Sequence, residues 1–165
     1  MTNRSTADRP QVPGYGIPET IEGVLPWSHV AERMEKAINY WIATVDSGCQ
    51  PHATPVWGVW LDDTFYFDGS PQTRRGRNLA ANPAVAVHLE SGSDVVILRG
   101  HALEVIGIQP GLAERLAAAY TIKYGEMGYT PMPDTWNGGG LYRVTIQKAF
   151  AWSQFPSDAT RWRFS

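Results

Sequence analysis

One cysteine in 165 residues, Cys49, leaves no intrachain disulfide to form and no cysteine cluster to hold a metal. A lone thiol suits a reducing compartment, so a cytoplasmic location is expected. Charge is scarce as well. Only 18% of residues are charged and the net charge is -2, which gives neither nucleic acid nor anionic lipid a whole-surface attraction. No apolar run approaches the ~20 residues of a membrane helix. The first ten residues, Met1 to Pro10, lack the apolar stretch of a secretory signal. No nucleic-acid or membrane partner is therefore expected. The sequence also lacks a G-x-S-x-G elbow, a P-loop and a dinucleotide G-x-G-x-x-G. His29, His52, His88 and His101 show no metal-ligand spacing, so no metal site is expected.

Apolar residues and aromatic rings are abundant. Hydrophobic residues make up 43% of the chain, with seven Trp and seven Tyr, enough to fill a core and leave flat surfaces for a ligand or an interface. At ~150 residues per domain the length fits one domain. Residues 1–27, rich in Thr, Pro and Gly, read as an arm that is loose unless docked. Residues 28–165 form the folded unit.

Within that unit Val30, Met34 and Ala37-Ile38 recur at helical spacing behind Ser28, predicting a helix from Ser28 to Asn39. Strands follow at Tyr40–Val45, His52–Trp60, Thr64–Phe67, Val85–Leu89 and Val95–Val105. Pro110–Tyr120 reads as a second amphipathic helix, Gly125–Gly140 as a Gly/Pro-rich loop, and Leu141–Ile146 and Ala149–Trp152 as strand again. Short strands at regular spacing with few helices give a mainly β, α+β chain, closed or partly closed into a barrel.

Three segments carry chemistry. Gly69–Pro83 holds three Arg and no acid, with Ser70 placed to N-cap a helix, Pro71 at its first position and Pro83 to stop it. Free amides at a helix start, the hydroxyls of Ser70 and Thr73, and guanidinium groups make an anion site. Arg74, Arg77 and Asn78 share one face by the i, i+3, i+4 rule and can converge on one phosphate. The same residues also suit a capped surface helix with solvated arginines, and composition does not separate the two. In the strand Thr54-Pro55-Val56-Trp57, Pro55 belongs at an edge or bulge, where a heterocycle can approach the backbone. Trp57 and Trp60, three apart on a strand, point to opposite faces, so one of them is expected to leave the core. Finally, Trp152, Arg161, Trp162 and Arg163 suit either stacking on an anionic conjugated ligand or a subunit interface. No acid–base set accompanies these segments and no catalytic residue is identified. Such a protein borrows its chemistry from a cofactor.

The ordered set Tyr40-Trp41-Ile42-Ala43-Thr44-Val45, Pro51-His52-Ala53-Thr54-Pro55-Val56-Trp57, and Gly69-Ser70-Pro71-Gln72-Thr73-Arg74 with Arg77-Asn78-Leu79 and Asn82-Pro83 resembles the pyridoxamine 5′-phosphate oxidase-like flavin-binding split barrels. The closing Thr160-Arg161-Trp162-Arg163-Phe164 is similar to the flavin/deazaflavin oxidoreductase branch. The likeness runs from about Ser28 to Ser165, without the longer basic set of pyridoxamine phosphate oxidases proper. It implies a six-stranded antiparallel split barrel, a homodimer with two cofactor sites at its interface, and a small-molecule substrate. Thr54, Pro55, Val56 and Trp57 would line the ring, and Ser70, Thr73, Arg74, Arg77 and Asn78 would hold the phosphate. Trp152, Arg161 and Trp162 would come from the partner. The activity implied is hydride transfer from reduced coenzyme F(420) to a small conjugated or electrophilic substrate, with Tyr120, Tyr124 or Tyr129 as candidate proton donors. The alternatives are an FMN-dependent oxidase or reductase on the same site, or a non-catalytic flavin- or haem-binding barrel.

Overall fold

The computed structural model describes residues 5–164; the first four residues of the arm, and Ser165 at the end of the folded unit, lie outside them. Strand β1, Ser5–Asp8, belongs to the arm. Helix α1, Trp27–Lys36, follows and buries Val30 and Met34, one turn apart, completely. It starts one residue before the expected Ser28 cap. His29 N–H bonds the carbonyl of Pro26, which closes the first turn and leaves Ser28 inside it.

Next come β2, Tyr40–Val45, and β3, Pro51–Val56, a hairpin in register from Tyr40 opposite Val56 to Val45 opposite Pro51. In β2 buried and half-buried residues alternate strictly, the signature of a strand with one face on a core. Asp46 fixes the hairpin turn by accepting hydrogen bonds from the amides of Gly48 and Gln50, both 2.9 Å. Strands β4, Gly58–Leu61, and β5, Thr64–Asp68, form a second hairpin. Its turn holds Asp62 and Asp63 at positive φ, as the tight twist of a two-residue loop requires.

Helix α2, Arg74–Ala81, leads to β6, Ala84–His88, and β7, Val95–Glu104. Helix α3, Pro110–Tyr124, runs one turn beyond expectation, and β8, Leu141–Trp152, is a single strand where two were expected. Strand β9, Thr160–Phe164, ends the described chain.

The pairings close a ring. Strand β2 pairs β3, which continues through Trp57 into β4; β4 pairs β5, β5 pairs β8, β8 pairs β7, β7 pairs β6, and β6 returns to β2. Counting β3 and β4 as one strand broken at Trp57, the antiparallel barrel has six staves, and β1 and β9 lie outside the ring. The ring divides along β8, whose first residues pair β5 while Lys148–Ala151 pair β9. Strand β1 adds to β9, so the arm is docked. Buried Arg9 ties down its next stretch by donating to the carbonyls of Thr20 and Ala159, 2.9 Å each, and of Glu22.

Two apolar clusters result. One fills the barrel, around Tyr40, Ile42, Phe65, Phe67, Leu98 and Trp162. The other lies outside β4 and β5, where α3 and the loop after it cover Val59 and Tyr66 with Leu116, Tyr120, Tyr124 and Trp136. Trp57 and Trp60 do face opposite sides, as expected, and both stay half-buried. Trp60 packs on the first cluster and Trp57 on the second, because the outer face is itself covered. No helix among the described residues is long and apolar enough to cross a membrane.

Candidate functional site

Helix α2 starts later than its sequence implies. Ser70, Pro71 and Gln72 form a turn closed by the Thr73 amide on the Ser70 carbonyl, 3.1 Å, and Thr73 is the cap, its Oγ1 accepting from the Gly76 amide at 3.1 Å. Ser70 is therefore not the N-cap and Pro71 not the first helical residue. The Ser70 hydroxyl accepts instead from the Gln72 amide. Gly69 precedes the turn at φ +149°, and a Cβ there would lie 2.5 Å from Nη2 of Arg75, so only glycine lets that guanidinium approach.

Arg74, Arg77 and Asn78 do share one face. With Asp46, Ser47 and Ala81 they line a concavity of about 320 Å³. All three are engaged within the chain. Arg74 Nη2 pairs with Asp46 Oδ2 at 2.9 Å, Arg77 donates to the Gln72 carbonyl, and buried Asn78 donates to Thr44 Oγ1 at 3.0 Å, tying α2 to β2.

Arg75, which the sequence pattern leaves out, turns inward. It is 9% exposed, its Cζ stands 5.6 Å from the centroid of Phe67, and its Nε is buried with no hydrogen-bond partner. No carboxylate of the described residues pairs with it. Burial pulls its pKa down, countered in part by Tyr142 and Asp68. The sequence held a signal for it, since Arg75 lies four residues before buried Leu79 and so on the inward side of α2.

The candidate ring-binding residues end β3 and form the break after it. Among the described residues β3 has no strand partner beyond β2, so the backbone of Thr54 and Pro55 lies at a free edge. Val56 is buried in the barrel. Trp57 stacks on Tyr124 at 4.8 Å and 11°. Asn39, Pro55, Val56 and Trp57 line a small hollow, and on its other side Trp57 joins Ser70 and Pro71 in a cleft of about 570 Å³. Trp57 and Ser70 are thus brought together across the gap between β4 and α2.

The carboxyl-terminal group stands apart from these residues. Trp162 is 2% exposed, packed into the first core cluster of its own chain against Trp27, so it has no free face to offer a ring across an interface. Trp152 is half-buried beside Phe155. Arg161 grips Asp8 with two bonds, 2.7 and 2.8 Å, and Arg163 adds a third to the same carboxylate.

Of the three candidate tyrosines, Tyr120 and Tyr124 are completely buried, and burial holds both hydroxyls protonated, that of Tyr124 pushed up to about 12. Neither ring is open to solvent. Tyr129 is half-buried, lines the cleft and donates to Asp68. Among the described residues no three His, Cys, Asp or Glu side chains gather as a metal site.

A six-stave antiparallel barrel divided along one long strand, with an arginine-bearing helix start beside a free strand edge, defines the split-barrel class. The chain belongs to the pyridoxamine 5′-phosphate oxidase family, whose model matches residues 27–153. Its fold is similar to that of the conserved hypothetical protein Rv2991 from Mycobacterium tuberculosis, at 21% identity and a TM-score of 0.63, over 79% of this chain and 86% of that one. An F(420) reductase matches at 20% identity and a TM-score of 0.56, over 74% of this chain and 95% of its own. The haem storage protein HutZ from Vibrio cholerae matches at 19% and 0.59, over 75% and 92%. These likenesses show the fold. No curated protein matches the chain in sequence.

Proposed function

We propose that the chain is an oxidoreductase that holds a phosphorylated flavin-type cofactor, reduced coenzyme F(420), against a small electrophilic organic acceptor. The observation that carries this reading is Arg75. A guanidinium buried beside Phe67, with no ion pair among the described residues and only the longer-range field of Asp68, is costly, and the cost is recovered when a dianion arrives to pair with it. The first amides of α2 have no acceptor within the helix and add to the same attraction. Arg75, Arg74 and the Thr73 turn would hold the phosphate. The free edge of Thr54 and Pro55, with Trp57, would flank the ring. When bound, the cofactor supplies the hydride chemistry. The chain's own part is to orient the ring, exclude water with the 125–140 loop and keep Tyr129 protonated.

One observation favours FMN as the second reading. Arg161 and Arg163, which would meet the acidic tail that distinguishes F(420), are already engaged by Asp8, whose carboxylate offsets one of their two charges. A homodimer suits the site, since the outward faces of β2, β6 and β7 leave Trp41, Ala43, Val45, Ala86 and Ile97 only half-covered, with Trp41 stacked on His88. Fluorescence titration of the purified chain with F(420) and with FMN tests the proposal. Saturable binding of F(420), followed by its faster oxidation by an enone or quinone than free in solution, is expected. Binding of FMN alone selects the second reading, and binding of neither overturns both.

A further inference from the structure

The cleft of about 570 Å³ beside Trp57 has a composition that phosphate binding does not explain. It is bounded by Trp57, Tyr129 and Trp136, by the Gly69-Ser70-Pro71 turn on one side and Thr135, Gly139 and Gly140 on the other, and by the carboxylate of Asp68. Among the described residues no Arg, Lys or His lines it, and the guanidinium that comes nearest, that of Arg75, approaches Gly69. Asp68 follows Phe67 on β5, and side chains alternate along a strand. Phe67 therefore faces the barrel and Arg75, whereas Asp68 faces outward beneath the 125–140 loop.

The hydrogen bonding of Asp68 is lopsided. Trp136 Nε1 donates to Oδ2 at 3.1 Å and the Tyr129 hydroxyl donates to the same atom. Oδ1 takes no hydrogen bond from the described residues, and it is not among the side-chain atoms sealed from solvent. An ionised carboxylate has about four acceptor sites, so half of this one remains open to the cleft. Ring faces carry the negative end of the aromatic quadrupole, and Trp57 and Tyr129 stand 6.0 Å apart at 50°, forming a corner.

We propose that this cleft recognises an organic cation, an ammonium or amidinium group carried on a flat apolar body, with Asp68 as its counter-charge and Trp57 and Tyr129 as its walls. Aromatic walls around a cation and a carboxylate at its end are mutually reinforcing, because each stabilises positive charge where water has been displaced. The volume suits a small molecule rather than a bare ion. Gly139 stands at φ +95°, a conformation that favours glycine, with Glu104 Oε1 beside it. The inference rests on the reading above only in taking the bound cation for the acceptor; the binding itself needs no cofactor.

The test is titration of the cofactor-free protein, followed by tryptophan fluorescence and calorimetry, with benzamidinium, its neutral isostere benzamide, and benzoate. Benzamidinium should bind about tenfold or more tighter than benzamide, a preference that weakens with salt, and benzoate should not bind. Asp68→Asn should bring benzamidinium down to the level of benzamide and leave benzamide unchanged. Tyr129→Phe and Trp136→Phe each remove one bond to Asp68 but keep its charge, so the preference should survive in both. Equal binding of cation and isostere by the unaltered protein, or a preference for benzoate, overturns the proposal even if the variants fail to fold. Loss of the preference in Tyr129→Phe as complete as in Asp68→Asn also overturns it, because the carboxylate then acts only by holding the loop. A chain that binds benzamidinium but neither F(420) nor FMN keeps this pocket and loses the reductase; the converse loses only the pocket.

Discussion

Arginines at α2 and at β9 are the same residue type meeting opposite environments. On β9, Arg161 and Arg163 reach outward and close on one carboxylate, that of Asp8 in the arm, so their charge is spent on holding the first strand against the last. On α2, Arg75 turns inward beside Phe67 and pairs with no carboxylate of the described residues. A satisfied pair contributes to the fold and offers a ligand little. An unsatisfied buried cation lowers stability and offers a ligand a great deal. The contrast says where to look for an anion, and it reverses the weight that residue types alone would give the two ends of the chain.

Arg75→Met tests the contrast hardest. Losing one charge-assisted contact of about 1.5–3 kcal/mol should weaken cofactor binding roughly 10- to 150-fold in a fluorescence titration. In the same variant the cofactor-free protein should melt higher, since an apolar side chain replaces a buried charge with no counter-ion. A lower melting temperature with unchanged affinity would make Arg75 a structural residue and end the comparison.

A half-buried cation away from both sharpens it. Lys123 donates to the carbonyls of Glu35 and Gly58 and, at 2.5 Å, to the Tyr40 hydroxyl, so it is served entirely by neutral oxygens. Burial lowers its pKa to about 8. The folded state then gives up this proton before the unfolded chain does, so stability should rise as pH climbs from 8 toward 10, by at most on the order of 3 kcal/mol. Above 10 the slope should reverse, because burial raises the pKa of Tyr40 and Tyr124 and only the unfolded chain ionises there. Urea unfolding across that range should show the dome, and Lys123→Met should flatten its rising limb.

The local periodicities were legible in the sequence; the partners across the fold were not. Alternation along Tyr40–Val45 marks β2 directly, and the i, i+3, i+4 rule correctly places Arg74, Arg77 and Asn78 together. The same alternation would have put Thr160 and Trp162 inward and Arg161 and Arg163 outward on β9, separating residues that their chemistry invites one to group. The start of α2 is ambiguous locally, because Ser70 before Pro71 and Thr73 before Arg74 are both good caps, and the turn between them decides. Asp8 lies 153 residues from Arg161 and meets it only because β1 adds to the far edge of β9. No window along the chain contains that pairing.

Asp8→Asn follows in size. Burial of the pair is partial, so its loss should cost about 1 kcal/mol of stability. Arg161 holds the Asp8 carboxyl below its usual pKa, so the contribution is present above the unfolded value near 3.8 and fades as pH falls through the lower folded one. The freed arginines should then strengthen F(420) binding several-fold while leaving FMN unchanged, if the acidic tail reaches β9. Equal effects on both cofactors would remove that tail contact.

The smallest effect belongs to the exposed pair at α2. Asp46 competes with an incoming phosphate for Arg74, but in water such a pair is weak and screened. Asp46→Asn should therefore tighten FMN binding by only a factor of about 2–5 at low salt, the gain vanishing as salt rises. Asp46 also fixes the β2–β3 turn through the Gly48 and Gln50 amides, bonds that Asn Oδ1 can still accept, so the hairpin should hold. A gain much larger than that would mean Arg74, and not buried Arg75, dominates the anion site. The two arginine clusters would then differ only in how tightly each is paired, rather than in whether a partner is present.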